Sequence, residues 1–216
     1  VAGQEKLLRS HALVIGLGGL GSAAAPYLAA AGVGHITLID HDQVELTNLQ
    51  RQIAHTEHNI GTNKAASAKA FLHGLNSEIQ IEAIQAKATE SLLDDLLPSV
   101  DIVLDCTDHF LTRHLINASC VKHATPLVSG SALRFDGQIS VFDSRKTTSP
   151  CYACIFSPEE TFEEEISDIY QKLNKFIDNK ISNETAYLWL ESHNKLNNSI
   201  VNQSFIEEQN YVKKDS

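Results

Sequence analysis

The sequence predicts an α/β fold: an open, mostly parallel sheet with helices flanking it, plus a helical C-terminal tail. Short apolar runs suited to strands alternate with helical patterns as far as Asp143. In the stretch Ala12 to Ser22, ALVIGLGGLGS, an apolar run stops at glycines and passes straight into an Ala-rich helical pattern. Polar residues gather where strand-like runs end, at Asp40 and Asp108, and an open parallel sheet collects its ligands outside those ends.

Gln4 to Arg9 reads as the end of a helix, followed by a first strand from His11 to Gly16. Gly16, Gly18 and Gly21 then give the G-x-G-x-x-G spacing of a Rossmann-like nucleotide loop. Without Cβ atoms the chain turns tightly, admits a phosphate close to its backbone and packs the next helix against the strand. The free N–H groups at that helix start, near Ser22, face any bound anion. The helix runs from about Ser22 to Ala31, and Pro26 within it implies a bend or a later start. Gly32 and Gly34 end it and lead into a second strand, His35 to Asp40. Asp40 lies about twenty residues past the loop, where such a fold holds a ribose hydroxyl.

A polar connection follows from His41 to Gln52, then a helix within Gly61 to Ser77 with Asn63 as its N-cap and Lys64 in its first turn. A first-turn lysine opposes the helix dipole by a few tenths of a kcal/mol, a penalty that a bound phosphate reverses. Glu78 to Ile84 alternates like a strand, Thr89 to Leu97 reads as a short helix closed by Pro98, and Asp101 to Cys106 is another buried strand. A helix from His109 to His123, a strand from Leu127 to Ser131, and a hairpin through Phe135, Asp136 and Gly137 complete the sheet. Beyond Asp143 come a linker, the thiol pair of CYAC, an acidic run, and from Ile166 an Asn/Lys/Ile/Glu-rich tail that reads as two or three amphipathic helices.

With 216 residues, 43% of them hydrophobic, the chain can bury one sizeable core. A formal net charge of −10 argues against a nucleic-acid surface, since no Lys/Arg stripe is present. No run approaches the roughly 18 apolar residues of a membrane span, and the N-terminus does not resemble a secretory signal. The four cysteines fit a reducing compartment, and the expected location is cytoplasmic. The chain starts at Val1, as expected of a fragment or a processed chain.

A dinucleotide site has little use for Arg51, Lys64 and Asp108 together, whereas a triphosphate with a metal needs that combination. Singly, each residue has a plainer explanation: Arg51 as a loop salt bridge, Lys64 as a solvated lysine, Asp108 as a helix cap.

GLGGLGS, LIDHDQVELTNLQRQ, GTNKAASA, DCTDHF, PLVSGSALRFDGQ and PCYAC, in this order, resemble the ThiF/MoeB/HesA-type adenylyltransferases that activate ubiquitin-like sulfur carrier proteins for molybdopterin or thiamine thiazole synthesis, relatives of ubiquitin-activating enzymes. The resemblance covers about Gly3 to Phe156. It implies an ATP-binding core over residues 1–156 and leaves residues 157–216 as an acidic linker and atypical tail, the core being trimmed at its start.

The resemblance implies a reaction in which the C-terminal carboxylate of a small β-grasp carrier attacks the α-phosphorus of Mg-ATP, giving an acyl-adenylate and pyrophosphate. Positioning and charge stabilisation suffice for such chemistry. By resemblance, Gly16, Gly18, Gly19 and Gly21 lie against the nucleotide and Asp40 holds the ribose. Thr47, Asn48, Leu49, Gln50 and Arg51 border the phosphates, supported by Gln52. Arg51 and Lys64 face the phosphates as catalytic cations, and Asp108 binds Mg²⁺ or orders the α-phosphate region. His109 stands where the family usually has Asn; an imidazole can still donate a hydrogen bond. Cys151 and Cys154 match half of a structural Zn²⁺ site, and the second thiol pair is absent. His55, His58, His73, His123 and His193 have no ligand-like spacing to the thiol pair and read as surface residues. The resemblance also implies a homodimer.

The alternatives are a nucleotide-binding remnant of the same family and, below it, an NAD-dependent oxidoreductase. Without a complete zinc clip, Ser144 to Glu165 is expected to be loosely held.

Overall fold

The computed structural model describes residues 2–133, 136–146 and 148–157. The acidic run, the tail expected to be helical and the hairpin tip at Arg134 and Phe135 lie outside the described residues.

Six strands, β1 (His11–Ile15), β2 (His35–Ile39), β3 (Gln80–Ile84), β4 (Ile102–Asp105), β5 (Leu127–Leu133) and β6 (Asp136–Phe142), form one sheet in the order β3-β2-β1-β4-β5-β6. All neighbours run parallel except β5 and β6, the predicted hairpin. Helices α1 (Ala2–Arg9), α2 (Gly21–Ala31), α3 (Lys64–Leu75), α4 (Glu90–Leu96), α5 (Phe110–Lys122) and α6 (Tyr152–Ile155) complete the described part. The predicted α/β class holds.

Every residue of β1 is buried, which is why its sequence, HALVI, lacks polar alternation. Ala12 and Val14 face one core with Ile36, Leu38, Ala25, Ala68 and Leu72, whereas Leu13 and Ile15 face the other with Val103, Leu93 and Ile116. Fully burying each aliphatic side chain contributes about 1.5–3 kcal/mol, so β1 is stabilised from both sides.

From β1 the chain builds outward to β2 and β3, then crosses to β4 on the other flank. The order reverses between β1 and β4, and a crevice opens there outside the strand ends. That places the glycine loop after β1, Asp40 after β2 and Asp108 after β4 around one opening.

Local sequence signals account for where the helices start and stop. Despite Pro26, α2 already starts at Gly21, with Leu20 at the N-cap, so the later start is not what the chain adopts. The predicted Asn63 cap holds: its side chain accepts from the Ala65 and Ala66 N–H groups, and α3 begins at Lys64. As expected, α4 ends just before Pro98, at Leu96 with Leu97 as its C-cap, and Pro98 sits in a 3-10 turn, Leu97–Ser99, near whose start its missing N–H costs nothing. Among the described residues, no helix is long and apolar enough to cross a membrane.

Candidate functional site

A cleft of about 1380 Å³ lies over the strand ends. Gly16, Gly18, Gly19, Asp40 and Asn48 line it, as do Arg51, Gln52, Lys64, Asp108 and His109. The remaining residues assigned by resemblance, Gly21, Thr47, Leu49 and Gln50, do not reach its wall. Thr47 instead donates its hydroxyl to Glu45 Oε2 over 3.3 Å.

The four loop glycines divide into two kinds. A Cβ on Gly16 would sit 2.9 Å from the Cys106 carbonyl oxygen, and its φ of +87° is one that L side chains rarely adopt. A Cβ on Gly21 would meet the Gly16 carbonyl oxygen at 1.8 Å, so only glycine lets α2 pack this close to β1. Gly18 and Gly19 are under no such pressure: an added Cβ would lie 3.7 Å from Gln52 Nε2 and 3.9 Å from Arg51 Cδ. Both line the cleft, and the N–H groups of Gly18, Gly19 and Leu20 donate to no protein acceptor among the described residues. A cradle with open space and free donors ahead of a helix fits an anion. The buried Gln52 adds an amide oxygen without a partner beside Gly18.

On the β2 side Asp40, Asn63 and Lys64 are all tied down. Asp40, 8% exposed, accepts the Leu17 N–H through Oδ2 at 2.7 Å and the Asp42 N–H through Oδ1 at 2.8 Å, bracing the glycine loop against the next connection. Asn63 donates to the carbonyls of Asp40 and Asp42, both at 2.9 Å. Lys64 is 7% exposed, so the solvated-lysine reading fails, and its Nζ meets Asp42 Oδ2 at 3.1 Å. His55 was expected at the surface but is 5% exposed. A carbonyl can only accept, so His55 Nε2 donates to Leu17 O at 3.0 Å and, in the neutral ring, Nδ1 accepts from Ser67 Oγ at 2.9 Å. Burial, with Lys64 nearby, keeps the His55 pKa below its ordinary value, against the Leu17 carbonyl and Asp40.

Arg51 is exposed on the cleft rim, donates to the Thr47 carbonyl at 3.3 Å, and pairs with no carboxylate among the described residues, against a loop salt bridge. Asp40, His41 and Asp42 can bring ligand atoms within 4.8 Å of one another, but the Lys64 ammonium already sits on Asp42.

The β4 side is arranged differently. Asp108 is exposed and its carboxylate makes no hydrogen bond among the described residues. The N-cap of α5 is His109, which makes no side-chain cap bond, so the cap reading of Asp108 does not hold. Beneath it lies a network the sequence reading missed. Asp105, fully buried, accepts the Thr107 N–H at 3.0 Å and the Thr107 hydroxyl at 2.7 Å on Oδ1, and the Ser129 hydroxyl at 3.2 Å on Oδ2. Arg113, 7% exposed, donates through Nη1 to Ser129 Oγ at 3.4 Å and through Nη2 to the Thr107 carbonyl. Burial raises the Asp105 pKa, and the Thr107 donors, Arg113 and Ser129 act against it. Burial, helped by Asp105, pushes the Cys106 thiol up to about 12, so this cleft residue is a protonated, inert thiol at neutral pH. A carboxylate ending an apolar strand run was the available signal for Asp105; Arg113 offered none beyond its place in the helix expected from His109 to His123.

Cys151 and Cys154 hold their sulfurs 3.5 Å apart, with Asn117 donating to Cys151 Sγ at 3.6 Å. Among the described residues no third metal-type ligand joins them, so the donor set found there does not amount to a zinc site. His58 and His73 are exposed, His123 bonds to Asp94 at 2.7 Å, and His193 lies outside the described residues. The expected looseness of Ser144 to Glu165 does not hold at Cys151 to Phe156. There Tyr152 is 4% exposed, packs on Phe142 and Phe156, and donates its N–H to Asn117 Oδ1 at 2.9 Å.

Comparison with known proteins supplies the relationship. A molybdopterin-synthase adenylyltransferase from Haemophilus influenzae is 49% identical over 150 residues, covering 69% of this chain and 61% of that protein. The adenylyltransferase and sulfurtransferase MOCS3 of Culex quinquefasciatus is 47% identical over 164 residues, 74% of this chain and 37% of that one. The chain thus spans only part of the length of these relatives. Among solved structures, E. coli MccB with ATP matches with a TM-score of 0.66 at 29% identity, covering 78% of this chain and 49% of that one. E. coli tRNA N6-threonylcarbamoyladenosine dehydratase TcdA in complex with AMP matches with a TM-score of 0.58 at 29% identity, covering 62% and 57%. The ThiF family profile matches residues 1–202, so the chain belongs to the ThiF family.

Proposed function

We propose that the chain carries the ATP-dependent adenylylation of the C-terminal carboxylate of a small β-grasp sulfur carrier protein, of the molybdopterin type. The observation that carries this reading is the cleft: a free-donor glycine cradle, Lys64, Arg51 and an unbonded Asp108 meet at the switch point of a ThiF-family sheet. Relatives at 47–49% identity bear adenylyltransferase names, and two matching structures hold ATP or AMP.

In this reading Asp40 accepts a ribose hydroxyl with the lone pairs that Leu17 and Asp42 leave free. The N–H groups of Gly18, Gly19 and Leu20 receive phosphate oxygens. Lys64, held by Asp42, and Arg51 at the rim stabilise charge as an oxygen of the carrier carboxylate bonds to the α-phosphorus and the bond to pyrophosphate breaks. No protein nucleophile is needed, in keeping with the inert Cys106. When bound, Mg²⁺ neutralises phosphate charge; Asp108 offers a hard, unengaged oxygen ligand suited to it. Zinc forms no part of this chemistry. The functional unit is a homodimer working in the cytosol, where Mg-ATP is abundant and Cys151 and Cys154 stay reduced.

The test is ATP–pyrophosphate exchange with a purified carrier ending in Gly-Gly. Exchange that requires the carrier and Mg²⁺ is expected. Tight ATP binding with no carrier-dependent exchange would reduce the chain to a nucleotide-binding remnant.

A further inference from the structure

We infer that Arg113 is a positioning residue for Asp108, fixing the backbone bend that presents this carboxylate to the cleft. The inference rests on the role proposed above for Asp108. It starts from an asymmetry: among the described residues the Asp108 carboxylate makes no hydrogen bond, and it is exposed, so its placement is inherited from the backbone before it. That backbone is held by a closed ring of bonds. Thr107 is bonded to Asp105 Oδ1 through its N–H and its hydroxyl, Ser129 joins Asp105 Oδ2, and the Arg113 fork bridges Ser129 Oγ and the Thr107 carbonyl.

Each member needs the others. Asp105 is fully buried, and a buried carboxylate held by three donors and a nearby guanidinium is far less costly than one left alone. Arg113 is itself nine-tenths buried, and its planar fork meets two acceptors at once, one just past β4 and one on β5, which an ammonium cannot reproduce. The acceptors are the last link before Asp108 and a hydroxyl on β5, so the fork ties the β4 end to the neighbouring strand. Arg113 therefore acts through Asp108, not on the nucleotide.

Arg113→Lys keeps the charge and loses the fork. The readouts are ATP affinity without metal, and the Mg²⁺ concentration giving half of the metal-dependent rise in melting temperature with ATP. Arg113→Lys is expected to raise that Mg²⁺ concentration about tenfold while metal-free ATP affinity stays within about twofold, as displacing a ligand should. Ser129→Ala should shift it the same way by a smaller factor and covers the case in which Arg113→Lys does not fold. In an Asp108→Ala background neither substitution should change ATP affinity further. A fall in metal-free ATP affinity of equal size in both backgrounds would overturn the inference, making Arg113 a nucleotide contact. So would loss of the Mg²⁺ increment in Asp108→Ala with folded Arg113→Lys and Ser129→Ala indistinguishable from wild type. An increment that survives in Asp108→Ala removes the reading on which the inference stands.

Discussion

The two flanks of the cleft solve the same problem in opposite ways. On the β2 flank, Asp40, Lys64 and Asn63 are buried and bonded to the protein before any ligand arrives. On the β4 flank, the bonds lie one layer down, in the Asp105–Thr107–Ser129–Arg113 ring, and the Asp108 carboxylate above it bonds to none of the described residues. The difference teaches where binding and stability are coupled. Substituting a β2-flank residue removes structure and function together, whereas Asp108 can be changed with little cost to the fold. A pre-bonded wall suits a rigid ribose and phosphate cradle; a free carboxylate suits an ion that brings its own water shell.

The sharpest break falls within the glycine loop that joins the flanks. Gly21→Ala would place a methyl 1.8 Å from the Gly16 carbonyl oxygen, against backbone that cannot step aside, and should abolish cooperative unfolding. Gly19→Ala meets only Arg51 methylenes at 3.9 Å, so it should fold with a near-wild-type melting temperature and weaker ATP binding. If both variants melted alike, the division of the loop into structural and ligand-facing glycines would be wrong.

Asp40→Asn is next in size. The amide leaves one of the Leu17 and Asp42 N–H groups without its acceptor in a buried setting, a loss of about 1–3 kcal/mol, and ATP affinity should fall with it. Denaturant titration of this variant at wild-type stability would show that the β2 flank is not braced as described.

This flank was the more legible in the sequence. Asp40 follows from strand-end spacing after the glycines, and the Asn63 cap from the pattern before an Ala-rich helix. Neither depends on long-range contacts. His55 and the β4 ring were not legible, because their meaning is tertiary. His55 sits in a polar connection and becomes buried only when it bonds Leu17, 38 residues earlier. Arg113 meets Ser129 across 16 residues, on a helix whose polar positions otherwise look solvent-directed. The tail from Ile166 lies outside the described residues, so the domain boundary at 156 stays an expectation.

The smallest effect is in pH. Burial lowers the pKa of His55 and of His11, which stacks on the His35 ring with centroids 3.7 Å apart; the Ser99 carbonyl, Glu82 and Asp101 act the other way on His11, while the His35 charge adds to the lowering. A histidine whose pKa is below 6.5 in the folded state binds its proton more readily when unfolded, so stability is full above that value and declines as pH falls through it. The melting temperature should therefore drop between about pH 7 and pH 5, before most carboxylates titrate. NMR titration should give midpoints below 6.5 for both rings; a midpoint above 6.5 for His55 would contradict a neutral ring bracing the glycine loop.

The most direct test of the contrast between the flanks measures melting temperature in wild type, Asp40→Asn and Asp108→Ala, each without ligand, with ATP, and with ATP plus Mg²⁺. The expected result is that Asp40→Asn melts lower without ligand and responds weakly to ATP, while Asp108→Ala melts like wild type, responds to ATP, and loses only the Mg²⁺ increment. An Asp108→Ala protein that keeps the full Mg²⁺ increment, or that is destabilised without ligand as much as Asp40→Asn, would contradict the account.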